Sequence, residues 1–187
     1  MLAGTLVVLK GVALPLLYVG RNQINAMVPL DVAPNTSYQL FVQQGNKVAV
    51  PAEVLVAPVQ PAIFSTNGTG SGQGAIVNLS AAVVDSANPA HSNDTILIFA
   101  SGLGAVTPSV PSGTVSPANP PAQTQAQVQV SIGGKPARVD FAGLAPAFFG
   151  LYQINAVVPG GIQAGDSVPV TITAGGETSP PVTIAVR

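Results

Sequence analysis

The chain has no cysteine and no tryptophan, a single histidine, and 7% charged residues where roughly a quarter is usual. Without cysteine there is neither a disulfide nor a thiolate metal site. Secretion is not thereby excluded, because a large β core needs no staple. One histidine cannot build a histidine-ligated metal cluster. The six lysines and arginines are scattered, the net charge is −1 and no basic run exists, which argues against nucleic acid as a partner. So weakly charged a surface also repels copies of itself only weakly. Leu6 to Val19 is apolar but broken by Lys10, Gly11 and Pro15, too short and interrupted for a membrane span. It lacks the basic start and the cleavage site of a signal peptide, so an exported form is expected to have lost its signal or to carry it upstream. No stretch combines helical spacing with helix caps.

What is present is a repeat. Gln23-Ile24-Asn25-Ala26-Met27-Val28-Pro29 returns as Gln153-Ile154-Asn155-Ala156-Val157-Val158-Pro159, and the register holds to the C-terminus. Tyr38 to Val42 lies over Val168 to Ile172, Gly45-Asn46 over Gly175-Gly176, Pro51 over Pro181 and Val54 over Ile184. Turns and strands that end together mark a duplicated structural unit. Within it, residues Gln23 to Val28 alternate with period two, and Tyr38 to Val42 and Val48 to Val56 flank a turn at Gly45, all strand signals. Thr5 to Lys10 and Val12 to Val19 are extended runs, the second with Pro15 marking an edge or bulge. In the second copy Thr95 to Ala100 reads as a buried strand. Residues 127–132 and 135–141 form a hairpin across Gly133-Gly134. Val106 to Gln125 has little strand character, and Gly143 to Gly150 is an apolar insert without a counterpart in the first copy.

This pattern predicts an all-β chain of two immunoglobulin-like antiparallel β-sandwich domains, the first lacking an N-terminal strand. The expected boundaries are 1–60 for the incomplete domain, 61–92 for a linker carrying a hairpin from Gly74 to Asp85, and 93–187 for the complete domain.

Several stretches together carry a resemblance. They are Ala62-Ile63-Phe64-Ser65, Gly72 to Asn78, Ala87-Asn88-Pro89-Ala90, Ala100-Ser101-Gly102-Leu103-Gly104, Phe141 to Pro146, and Gly150 to Asn155 with Val158-Pro159. In these the chain resembles the Solibacter-type C-terminal domain family, which ends large exported proteins of Acidobacteria. Leu14 to Asn25 resembles that family's first half, and the second domain is similar to TIG-type immunoglobulin-like modules. The resemblance implies a bacterial, secreted protein and no particular activity.

Residues that could carry chemistry are few. His91 sits in a turn near Ser92, Asp94 and Ser101, but no Gly-x-Ser-x-Gly elbow accompanies it, and an exposed turn histidine is the better reading. The acids Asp31, Glu53, Asp85, Asp94, Asp140, Asp166 and Glu177 show no calcium-loop spacing. A glycosidase pair would need two of them, for instance among Asp85, Asp94 and Asp140, to meet in space. Gly102-Leu103-Gly104 and Gly68 to Gly74 open no helix and are turns rather than phosphate cradles. The repeated Gln and Asn of Gln153 and Asn155 could hold sugar or satisfy backbone groups beside the sheet. Asn35, Asn67, Asn78 and Asn93 head glycosylation sequons, which turn composition alone also produces. No enzyme activity, cofactor or metal is expected.

The missing strand shapes the functional expectation. A sandwich short of a strand exposes apolar side chains and a bare edge that templates pairing with another chain. The gap can be filled by a segment upstream, by the Gly74–Asp85 hairpin, or by a neighbouring subunit's strand. The expected donor is the Met1–Lys10 arm, with Leu6, Val7, Val8 and Leu9 as contacts, or else the Val182–Arg187 tail. Phe148, Phe149 and Leu151 form a further contact surface if exposed, and core filling otherwise. The chain is thus expected to be a non-enzymatic subunit of an extracellular or cell-surface assembly, a filament built by strand donation, its partners copies of itself joined head to tail or other cell-surface proteins. The alternative is an adhesion, glycan-binding or spacer module at the end of a larger secreted protein.

Overall fold

The computed structural model describes Met1–Arg187, and its regular structure is entirely β-strand. Every ladder is antiparallel. No helix is long and apolar enough to cross a membrane. The chain divides into two compact units, Met1–Pro58 with Pro111–Thr114, and Val59–Val110 with Val115–Arg187.

The first unit contains β1 (Thr5–Leu9), β2 (Val12–Ala13), β3 (Leu16–Val19), β4 (Ile24–Ala26), β5 (Thr36–Gln44), β6 (Lys47–Val48) and β7 (Ala52–Val56). β5 is central, with β1 on one edge and β6 and β7 in turn on the other. β2 pairs with the far side of β1, while β3 and β4 form a separate two-stranded ribbon. Pro15 falls where β2 ends and the chain moves to β3, because proline cannot donate to a ladder. Val7, Leu9 and Leu14 are buried, and Leu16, Ile24, Tyr38, Leu40, Val42 and Val56 pack half-buried against them.

The second unit contains β8 (Ala62–Ile63), β9 (Ile76–Asn78), β10 (Thr95–Ser101), β11 (Val106–Thr107), β12 (Gln123–Thr124), β13 (Val128–Ile132), β14 (Lys135–Leu144), β15 (Tyr152–Val157), β16 (Gly165–Ala174), β17 (Glu177–Thr178) and β18 (Val182–Val186). One layer holds β13, β16, β17, β18 and the start of β14. The other holds β8, β9, β10, β15, β11, β12 and the end of β14. β14 changes layer at an irregularity between Val139 and Phe141. Ile96, Ile98 and Ala100 of β10, Ile154 and Ala156 of β15, Val130 and Ile132 of β13, and Val170 and Ile172 of β16 are all buried. This is an immunoglobulin-like sandwich with alternate residues of both layers turned inward.

The repeat extends through the whole first unit. The pair Val8–Ala13 recurs as Ser131–Pro136, Leu9–Leu40 as Ile132–Val170, and Tyr38–Val54 as Val168–Ile184. Even the bulge recurs: the register slips between Leu16 and Tyr18 opposite β4, and between Val139 and Phe141 opposite β15. β1 therefore corresponds to β13, β4 to β15, β5 to β16 and β7 to β18. Nothing in the first unit corresponds to β8 through β12.

Three expectations are corrected. Residues 61–92 are not a linker, because β8 and β9 pair with β10 and bury Ile63 and Ile76. The hairpin does form, with Val77 bridged to Val83 and the Val84 N–H donating to Ile76 O at 2.9 Å, but as part of the second unit. Finally, neither chain end is a free donor. Leu6, Val7, Val8 and Leu9 lie in β1, held between β2 and β5, and Val182–Val186 is a buried strand of the second unit.

Candidate functional site

The candidate site is the open side of the first unit, and the second unit shows what is missing from it. There, β15 lies between β14 and β10, with Ile96 opposite Ala156, Leu97 opposite Asn155 and Ile98 opposite Ile154. Its counterpart β4 pairs with β3 alone. A second edge is bare as well. The free side of β18 is covered by the segment ahead of β10: Gly74 N–H donates to Thr183 O (2.9 Å), Thr183 N–H to Gly72 O (2.7 Å), and Ala90 N–H to Ala185 O (3.0 Å). β7 pairs with β5 only.

Side chains follow the backbone. Val158 is 0% exposed and its counterpart Val28 is 41% exposed; Ala185 is 0% exposed and Leu55 is 68% exposed. Ile154, Ala156, Val170, Ile172 and Ile184 are buried, whereas Ile24, Ala26, Leu40, Val42 and Val54 are half-buried. This apolar side chain cluster has one polar tip, the Tyr38 hydroxyl, which donates to Ala33 O at 3.2 Å. Lys10 Nζ stands 5.9 Å from the centre of the Tyr38 ring. A largely apolar surface beside unpaired strand edges binds another strand: the edges supply N–H and C=O groups, and the side chains supply the hydrophobic contact.

The remaining expected site residues separate clearly. Phe148 and Phe149 are exposed at the β14–β15 loop, and Leu151 is half-buried beside them. That loop is tied down by Ser116, whose N–H donates to Phe148 O and whose carbonyl accepts from Ala147 N–H, each at 2.9 Å. Gln23 Nε2 donates to Asn25 Oδ1 (2.7 Å) and Gln153 Nε2 to Asn155 Oδ1 (2.8 Å), so in both copies the two amides bond each other. His91 is exposed, and Asp94 Oδ2 accepts from its backbone N–H at 2.8 Å in a surface turn. Asp85 caps its own turn by accepting from Ala87 and Asn88 N–H. Asp140 accepts from Arg138, whose guanidinium is held above its ordinary range by that bond and charge. Asp166 pairs with Arg187. No three His, Asp or Glu side chains gather in one place. Among the sequons, Asn35, Asn67 and Asn93 are exposed; Asn78 is half-buried, its Oδ1 accepting from Ser80 and Ala82 N–H at 2.9 and 3.1 Å.

The resemblance-bearing motifs prove to be structural joints. Gly102 has φ +74°, and a Cβ there would overlap the Gln60 carbonyl oxygen; Gln60 N–H donates to Gly102 O at 2.7 Å. Tyr152 is buried, its hydroxyl donates to Gly104 O, and burial pushes its pKa up to about 12. The sequence carried a signal of this joint. At the position of Tyr152 the first copy has Asn22, and the first unit has no counterpart of Gly104 to receive a hydroxyl.

No model of a known protein family matches the chain, and no curated protein matches it. Neither comparison supports the acidobacterial resemblance. Among solved structures, the crystal structure of the I9–I11 tandem from titin is similar at 15% identity and a TM-score of 0.27. The match covers 99% of this chain and 55% of that one, so the chain spans about half the length of that structure. The architecture rests on the strand pairing described above and not on this likeness.

Proposed function

We propose that the chain is a non-enzymatic structural module of a bacterial extracellular or cell-surface assembly, and that its first unit is a docking unit finished by a strand from outside it. One observation carries this: the same fold occurs twice in one chain, closed and buried in the second unit, open at β4 and β7 in the first. Exposed apolar edges are a hazard unless something covers them. The low charge, the resemblance to exported acidobacterial domains and the exposed sequons support a location outside the cell. The Met1–Lys10 arm is not the donor, because its Thr5–Leu9 is β1, paired with β2 and β5.

A second reading, a C-terminal module of a larger secreted protein, is supported by the resemblance to domains that end large exported proteins. Fractionation of the producing bacterium tests both readings. The account expects the protein outside the cytoplasmic membrane, in a particle heavier than the monomer or within a longer polypeptide. A cytosolic monomer of this length would overturn both.

A further inference from the structure

We infer that the open side of the first unit is the seat of a partner polypeptide's extended segment whose sequence reads like Gly72–Ser101. The inference rests on the reading of the first unit as a docking unit and specifies its occupant. In the second unit that single segment covers both edges. Gly72, Gly74 and Ala90 bond along β18, with bridges in the parallel sense at Gln73–Thr183 and Ala90–Val186, and β10 then runs antiparallel to β15. The first unit keeps the same strands in the same registers, so the segment's seat is preserved while the segment is absent.

The register fixes the partner's chemistry. Ile96 faces Ala156 and Ile98 faces Ile154, positions that correspond to Ala26 and Ile24. The partner strand therefore presents two branched aliphatic residues, two positions apart, to Ala26 and Ile24. The residue between them faces Asn25, as Leu97 faces Asn155. The third inward residue of β10, Ala100, faces Tyr152, whereas the first unit offers Asn22, so a polar residue is accepted at that step. No charge is accepted at the two anchors, because the surrounding side chains are apolar and an unpaired buried charge is strongly disfavoured. The chain's own β10 does not fill the seat of another copy, being held by β15 on one edge and by β8 and β9 on the other.

The probe is a synthetic peptide of Thr95–Ser101 with flanking lysines, added to the isotope-labelled full chain and followed by amide exchange and NMR titration. The expected result is saturable protection of Gln23–Val28. Ile96→Asp with Ile98→Asp in the peptide weakens binding by at least about tenfold, as the loss of about 1.4 kcal/mol implies. A Gly72–Ser101 peptide, reaching β7 as well, binds at least about tenfold tighter and also protects Ala52–Val56. Equal binding by a scrambled peptide, or no protection at β4, overturns the inference. So does protection of Gln23–Val28 that grows with chain concentration alone, which would identify the occupant as a second copy. None of these outcomes touches the cellular location or particle size by which the proposed function stands or falls.

Discussion

Ile24 and Ile154 occupy the same place in the two copies, which allows a matched test of the open first unit. Replacing isoleucine by alanine removes three carbons, about 2.4 kcal/mol at about 0.8 kcal/mol per carbon buried. At Ile154 the site is fully buried opposite Ile98 and cannot collapse, so the cavity adds to that and the cost reaches about 3–5 kcal/mol. At Ile24 the side chain is half-buried and its outer side is open, so roughly half the transfer energy is lost with no closed cavity: about 1 kcal/mol. Urea unfolding, read separately from amide signals of Thr5–Val56 and Thr95–Val186, measures both. The account expects Ile154→Ala to cost roughly 2–4 kcal/mol more than Ile24→Ala. Costs within about 0.5 kcal/mol of each other would refute the claim that β4 lacks a covering strand.

Other consequences follow from the joints of the second unit. Gly102→Ala forces a side chain onto the Gln60 carbonyl at a positive φ, and thermal unfolding should show a loss of at least about 2 kcal/mol. Ser116→Ala should leave stability unchanged or raise it by up to about 1 kcal/mol, because the buried Ser116 Oγ has no partner. Tyr152 has its pKa raised by burial, so its contribution is fully present below the unfolded value near 10 and is lost as pH rises towards about 12. In alkaline unfolding curves, Tyr152→Phe should therefore lose part of the downward slope between about pH 10 and 12 that the wild-type chain shows, and at neutral pH should cost about 1–3 kcal/mol for the orphaned Gly104 carbonyl.

The sequence made the duplicated core readable because its signals are local. The Gln-Ile-Asn strands alternate within a few residues, and Gly133-Gly134, with φ of +58° and +77°, announces its hairpin. What escaped was non-local. β8 and β9 are two and three residues long and lie among Gly, Ser and Asn, so 61–92 read as a linker; only pairing with β10 makes them strands. The Met1–Lys10 arm looked free because no strand precedes it, yet its partners β2 and β5 follow it in the chain. Composition could not decide whether Phe148 and Phe149 fill a core or face solvent, because a tie from Ser116, distant in sequence, sets that loop. The open edge was legible as a missing strand. That β7 is bare too emerged only from the contacts of Gly72–Ala90 with β18.

Amide hydrogen exchange of the dilute full chain tests the central claim most directly. Each residue of β4 and β7 is compared with its counterpart in β15 and β18, within one molecule and one sample. The account predicts that Ile24–Val28 and the free side of β7 exchange at least about 100-fold faster than Ile154–Val158 and the corresponding positions of Val182–Val186. Equal protection in the two copies, at concentrations where the chain is monomeric, would contradict it.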